Sequence, residues 1–154
     1  MKKALFLCVV AVILSALLTS CGSQKGKKLC SIEVSDAAEH IRVAVLVQQD
    51  QSDITGFFDE ENWTETAEPE IEAVPQYIIT LYQEKTPSVI KQENDEAYEK
   101  IMEYVTYENS KTIKISVNQD LVHSAVSDEF LSVYCVGSEK FFSNLSDLLD
   151  TSKS

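Results

Sequence analysis

Residues 94–107, NDEAYEKIMEYVTY, decide the fold class of this 154-residue chain. Asn94 or Asp95 is placed to cap a helix, and Ala97, Ile101 and Val105 (or Met102) recur at the spacing of one helical stripe. On its N-terminal side, 76–83 (QYIITLYQ) alternates and follows Pro75, which predicts a strand, with 88–91 as its hairpin partner across 84–87. On its C-terminal side, Glu108-Asn109-Ser110 reads as a turn into a strand over 112–117, where Ile113, Ile115 and Val117 share a face. A further strand is expected over 130–136. Ser138 then caps a last helix whose Phe141, Phe142, Leu145, Leu148 and Leu149 point inward.

Further upstream, 31–34 (SIEV) is a short strand, and 41–47 (IRVAVLV) is apolar enough to suit a strand with both faces covered. Between them and Pro75, residues 53–61 carry Ile54, Phe57 and Phe58 at helical spacing, with Asp53 as cap and Gly56 weakening the helix. Strands interrupted by two or three helices predict an α+β domain over 30–150. The sheet is expected to be small, mixed or antiparallel, with the helices packed on one face. Residues 151–154 are read as a tail.

Composition excludes several classes. The chain carries 13 Lys plus Arg against 25 Asp plus Glu, a formal net charge of −12. Nucleic-acid affinity comes from cations that displace counterions from phosphate, so a nucleic-acid partner is excluded. A hydrophobic content of 44% excludes compositional disorder, and 4 Gly and 3 Pro exclude collagen-like and low-complexity chains.

The N-terminus carries an address. Met1-Lys2-Lys3 is a basic start, and the apolar tract over 4–18 contains one serine. Its length falls short of the roughly 20 residues that span a bilayer as a helix but suits the core of a signal peptide. Leu18-Thr19-Ser20-Cys21 follows, and this stretch resembles the lipobox of bacterial lipoproteins. The resemblance implies removal of 1–20 by cleavage between Ser20 and Cys21, and diacylglycerol in thioether linkage to Cys21. It also implies a position on the extracytoplasmic face of a cell membrane. Two acyl chains would anchor stably, each buried CH₂ contributing about 0.8 kcal/mol. Residues 21–29 would be the tether. Processing removes Lys2 and Lys3 and leaves 11 cations against 25 acids, a balance of −14. Lys25, Lys27 and Lys28 in the tether either attract an anionic surface or keep the tether solvated.

Two further thiols, Cys30 and Cys135, open two readings. They form a disulfide if their strands are adjacent, as exported chains allow, or Cys135 is a small buried hydrophobe and Cys30 a mobile, free thiol. No metal or cofactor site is expected. The stretch from Asp50 to Glu61 fails the calcium-loop register, with Ile54 at a ligand position, and His40 and His123 lack partners at zinc spacing. Neither GxSxG, HExxH nor a glycine-rich phosphate loop occurs, so no catalytic residue is assigned.

The stretch 43–84 is unusual in holding ten acids and no Lys or Arg. Set within it are Phe57, Phe58 and Trp63, beside Glu60, Glu61 and Glu65. Aromatic anchors ringed by one sign of charge would suit a protein partner with a basic patch. In the alternative, the aromatics staple the segment to the core and the acids are simply solvated. The expected function is a non-enzymatic protein- or peptide-binding lipoprotein. The alternative is a lipid or small-ligand carrier with an apolar cavity between sheet and helices.

Overall fold

A computed structural model describes residues 29–69, 73–85, 97–118 and 132–153. The signal tract, Ser20, Cys21, the tether up to residue 28, the strand expected over 88–91, the Asn94/Asp95 cap and His123 lie outside the described residues. Seven strands form one sheet: β1 (Cys30–Asp36), β2 (Arg42–Gln49), β3 (Thr64–Thr66), β4 (Pro75–Glu84), β5 (Tyr98–Tyr107), β6 (Thr112–Val117) and β7 (Ser132–Val136). Two short helices, α1 (Gln51–Phe58) and α2 (Glu139–Thr151), and a 3₁₀ turn (Glu60–Asn62) complete the described elements. The strand order is β2-β1-β4-β5-β6-β7-β3, and every ladder is antiparallel.

This corrects the expected α+β class of a small sheet dressed by two or three helices. The domain is sheet-dominated, and the decisive segment is a strand. β5 pairs with β4 on one side and β6 on the other, so it is an inner strand of the sheet. Its helical look has a local cause. Leu81 pairs with Met102 and Tyr82 with Lys100, which leaves Ile101 as an extra residue, a β-bulge. The bulge buries both Ile101 and Met102. Two consecutive core residues break the two-residue alternation and imitate a helical stripe. Ala97 and Val105, the other members of that stripe, do not share Ile101's burial. The β-branched and aromatic content from Tyr98 to Tyr107 fits a pleated, half-buried surface.

The β1–β2 turn is built by Asp36, whose carboxylate accepts from the N–H groups of Ala38 and Glu39, each at 2.9 Å. His40 takes a left-handed backbone with φ 54° and closes the reversal. Register then follows burial. Ile32 and Val34 face the core opposite Leu46 and Ala44, while Glu33 lies opposite Val45 on the other face. The expectation that this second strand is covered on both faces is also corrected. β2 ends the sheet, and Ile41, Val43, Val45 and Val47 are 57%, 36%, 38% and 58% exposed.

The core lies on the face that α1 and α2 approach. Tyr104 of β5 is fully buried at its centre, opposite Ile79 of β4 and Ile115 of β6 and stacked on Phe58. Ser138 caps α2 as expected, its Oγ accepting from the Phe141 N–H at 3.2 Å. α1 starts two residues before Asp53, after Asp50, and stops at Asp59 in the left-handed region at φ 55°. Asn144 of α2 donates to the Phe57 carbonyl at 2.9 Å, satisfying one of the orphan acceptors at the end of α1. Gly137, just before α2, lies where a Cβ would come within 2.4 Å of Ile113 Cδ1, so a side chain there would push against the buried Ile113.

Candidate functional site

Asp59, Glu60, Glu61, Glu65 and Glu68 of the 43–84 stretch lie where α1 hands over to the 3₁₀ turn and β3, along the sheet edge formed by β3 and β7. Asp59 is buried, and both its carboxylate oxygens are engaged. Oδ2 accepts from the Ser138 hydroxyl at 2.6 Å, and Oδ1 accepts from Asn62 Nδ2 at 2.9 Å and from Lys140 Nζ at 3.3 Å. The Ser138 hydroxyl first, then Asn62 and Lys140, hold this carboxyl below its ordinary range against the opposing effect of burial.

Glu60 behaves in the opposite way. It accepts from the Tyr104 hydroxyl at 2.6 Å, yet burial pushes its carboxyl above the ordinary range and outweighs that bond. Burial, and then the charge of Glu60, pushes the Tyr104 phenol well upward. Glu65 of β3 lies opposite Cys135 of β7. Burial first, then Glu65 and Glu60, pushes the Cys135 thiol up to about 11, so it is protonated and unreactive at neutral pH. On the other face, the Tyr134 hydroxyl donates to Glu68 Oε1 at 2.8 Å, and Lys114 Nζ lies 5.9 Å from the Tyr134 ring centroid. Burial, and then the bond to Glu68, raises the Tyr134 phenol far above its usual value.

The aromatic residues expected to anchor a partner are in the core. Phe57 and Phe58 are only 8% and 2% exposed. Phe58 stacks on Tyr104 at 4.2 Å between centroids, and Phe57 meets Phe58 and Phe141 edge-on at 5.2 and 6.0 Å. Trp63 is half-buried, edge-on to Tyr104 at 6.0 Å and to Phe141 at 5.1 Å. The aromatics therefore staple the segment to the core, and the reading in which they form an exposed hot spot is overturned. These rings pack against Tyr104 and Phe141. Of the carboxylates, Glu61 is exposed, Glu60 and Glu65 are half-buried, and the exposed Asp53 lies on α1. Trp63 Nε1 is buried with no hydrogen-bond partner among the described residues.

The disulfide reading is overturned as well. Cys30 and Cys135 are not bonded to each other, and Cys30, rather than being mobile, is buried at the start of β1. Between β1 and β7 stand β4, β5 and β6, and four inter-strand steps separate them by roughly 19 Å, far beyond disulfide reach of about 7 Å. Tyr104, Ser138, Asn62 and Lys140 hold the site together without having been singled out for that role. Of these, only Ser138 carried a sequence signal, as a helix cap, and the signal said nothing of its second bond to Asp59. Among the described residues no group of His, Cys, Asp and Glu is arranged to hold a metal, and no helix is long and apolar enough to cross a membrane.

The arrangement defines an antiparallel-sheet domain with an acidic margin whose buried carboxylates are structural and whose outer ones face solvent. No protein-family model matches the chain, and neither the curated proteins nor the solved structures contain a significant match.

Proposed function

We propose that this chain is a bacterial lipoprotein, held on the extracytoplasmic face of a membrane through diacylglycerol on Cys21, whose domain binds a protein or peptide bearing a basic patch. The anchor rests on the run Leu18-Thr19-Ser20-Cys21 behind a basic start and a short apolar tract. The observation that carries the binding reading is the acidic margin. Asp53, Glu61 and Glu68 are exposed within a segment that has no Lys or Arg to neutralise them. A field of one sign steers a cationic partner and raises its rate of encounter. The rings of Phe57, Phe58 and Trp63 contribute by fixing the margin's backbone.

A non-catalytic role is supported by what the polar groups already do. Asp59 is saturated by Ser138, Asn62 and Lys140, Glu60 holds Tyr104, and the Cys135 thiol is protonated and buried. The two halves of the reading are tested separately. Cys21→Ser leaves the protein unprocessed or shed into the medium, and normal membrane retention would overturn the anchor. Charge reversal of Asp53, Glu61 and Glu68 together abolishes recovery of the partner by crosslinking in the cell envelope. An unchanged crosslinked partner in a folded variant overturns the binding reading.

A further inference from the structure

Asp59 and Glu60 are neighbours in the chain, and their carboxylates are held in opposite ways. Asp59, at φ 55°, accepts from Ser138, Asn62 and Lys140 and so pins the start of the 3₁₀ turn to α2. Glu60 reaches inward, and among the described residues its carboxylate accepts from one neutral donor, the hydroxyl of the fully buried Tyr104 at 2.6 Å. No described cation bonds to it, because Lys140 of α2 is committed to Asp59. The other titratable groups around it are Glu65 of β3, Cys135 of β7, and Asp59 and Glu61 on either side in the chain. α1 presents the Phe58 ring to Tyr104, and its Asp53 is exposed.

A carboxyl so placed sits well while it carries its proton. Once ionised it is a charge without a counter-ion among other acids, and water is close because the residue is half-buried. The turn is tied to it. The Trp63 N–H donates to the Glu60 carbonyl at 3.0 Å, and the Trp63 ring meets Tyr104 edge-on at 6.0 Å. Trp63 Nε1 is buried with no partner among the described residues, so opening the turn returns that donor to water. Tyr104 keeps a second, weaker acceptor in Met102 Sδ at 3.6 Å when Glu60 leaves. β3, next in the chain, is the last strand in the sheet order and is joined to β7 by three residue pairs.

We propose that Glu60 is a proton-operated latch on the 3₁₀ turn. Protonated, it holds residues 60–63 against Tyr104. Ionised, it leaves for solvent, the turn opens about the pinned Asp59, and Glu61 is carried with it. Rising pH therefore adds one charge to the acidic margin and frees its backbone. The carboxyl has its ordinary value in the open form and, through burial, a raised one in the closed form. Opening thus grows by up to about tenfold per pH unit between those two values and is level above the higher one. This goes beyond the binding reading above and does not rest on it, because the turn opens with or without a partner.

Amide hydrogen exchange of the purified full chain, followed by NMR from about pH 4 to pH 8 and corrected for intrinsic exchange, reads this equilibrium even where the open form is rare. The Trp63 amide reports the turn, and the amides of β4, an inner strand, report global unfolding. In the wild type the Trp63 amide is at least about a hundredfold less protected than those of β4, and its protection falls as pH rises. Glu60→Gln keeps an acceptor for Tyr104 but cannot ionise, so it removes the fall and stays protected throughout. Glu61→Gln, at the exposed acid next in the chain, keeps the wild-type slope. Equal protection at Trp63 and in β4 overturns the proposal, because the turn then opens only with the whole domain. A wild-type protection that is level with pH overturns it, as does a slope that survives in folded Glu60→Gln.

Discussion

Phe58→Ala separates a structural aromatic from an interface anchor. Phe58 is 2% exposed and stacks on Tyr104 at 4.2 Å, with Phe57 edge-on at 5.2 Å and Phe141 at 6.0 Å. Truncating a buried phenylalanine costs about 3–5 kcal/mol, and ring pairs contribute about 0.5–1.5 kcal/mol beyond area burial. Three ring neighbours, Tyr104 and Phe141 stacked and Phe57 edge-on, place this site in the upper half, at about 4–5 kcal/mol. A domain of about 120 residues has an unfolding entropy of about 0.25 kcal/mol/K, so the melting temperature should fall by about 16–20 °C. Urea unfolding followed by far-UV circular dichroism and by the fluorescence of Trp63, the chain's single tryptophan, measures the loss directly. An exposed anchor would instead cost within about 0.5 kcal/mol of stability while losing the partner. A measured loss below about 1 kcal/mol would refute the placement of Phe58 in the core.

Burial raises the carboxyl of Glu60, so its contribution to stability is complete below the ordinary carboxylate pKa and is lost as pH rises through the raised folded value. Glu60→Gln keeps an acceptor for the Tyr104 hydroxyl. It should flatten that decline and leave the protein as stable or more stable at neutral pH; a less stable variant with an unchanged pH slope contradicts the assignment. Ser138→Ala removes both the α2 cap and the donor to Asp59, costing about 1 kcal/mol for the cap alone in thermal unfolding at neutral pH. The Asp59 contribution, lost as pH falls through its depressed folded value, should then disappear at a higher pH in this variant than in wild type. Gly137→Ala forces a methyl onto the buried Ile113 and should cost about 1–3 kcal/mol, read by the same unfolding assay. A neutral effect would contradict the close contact between position 137 and Ile113.

Much of the sheet could be read from the sequence because its signals are local. Pro75 opens β4, Glu108-Asn109-Ser110 turns β5 into β6 with Asn109 at φ 53°, and Ser138 caps α2. β5 was misread because a bulge is a pairing event. Ile101 is extra only with respect to Tyr82 and Leu81 on another strand, and nothing within 94–107 records that partner. β2 was misread for a related reason. An apolar run looks the same in a central strand and at an edge, and the strand order is set by long-range pairing. In the candidate site, the acids and rings were recognisable as a group, but their division of labour was not. Which rings turn inward depends on Tyr104, 46 positions beyond Phe58 in the chain. The distance between Cys30 and Cys135 is likewise a product of strand order rather than of spacing.

The position of β1 has a mechanical consequence. On the proposed anchor, the tether would enter the domain at Cys30, the first residue of a strand that β2 and β4 flank on both sides. A pull on that end would act along β1 and load the hydrogen bonds of two ladders in shear, because antiparallel bonds lie perpendicular to the strands. The whole set must yield together, whereas a pull on a terminal edge strand would peel one ladder bond by bond. A partner held at β3 sits at the other end of the strand order, so tension would cross β4, β5, β6 and β7 in turn. The sheet would then be a load path from β1 to its acidic margin, and its weakest described link would be the three-residue ladder between β7 and β3.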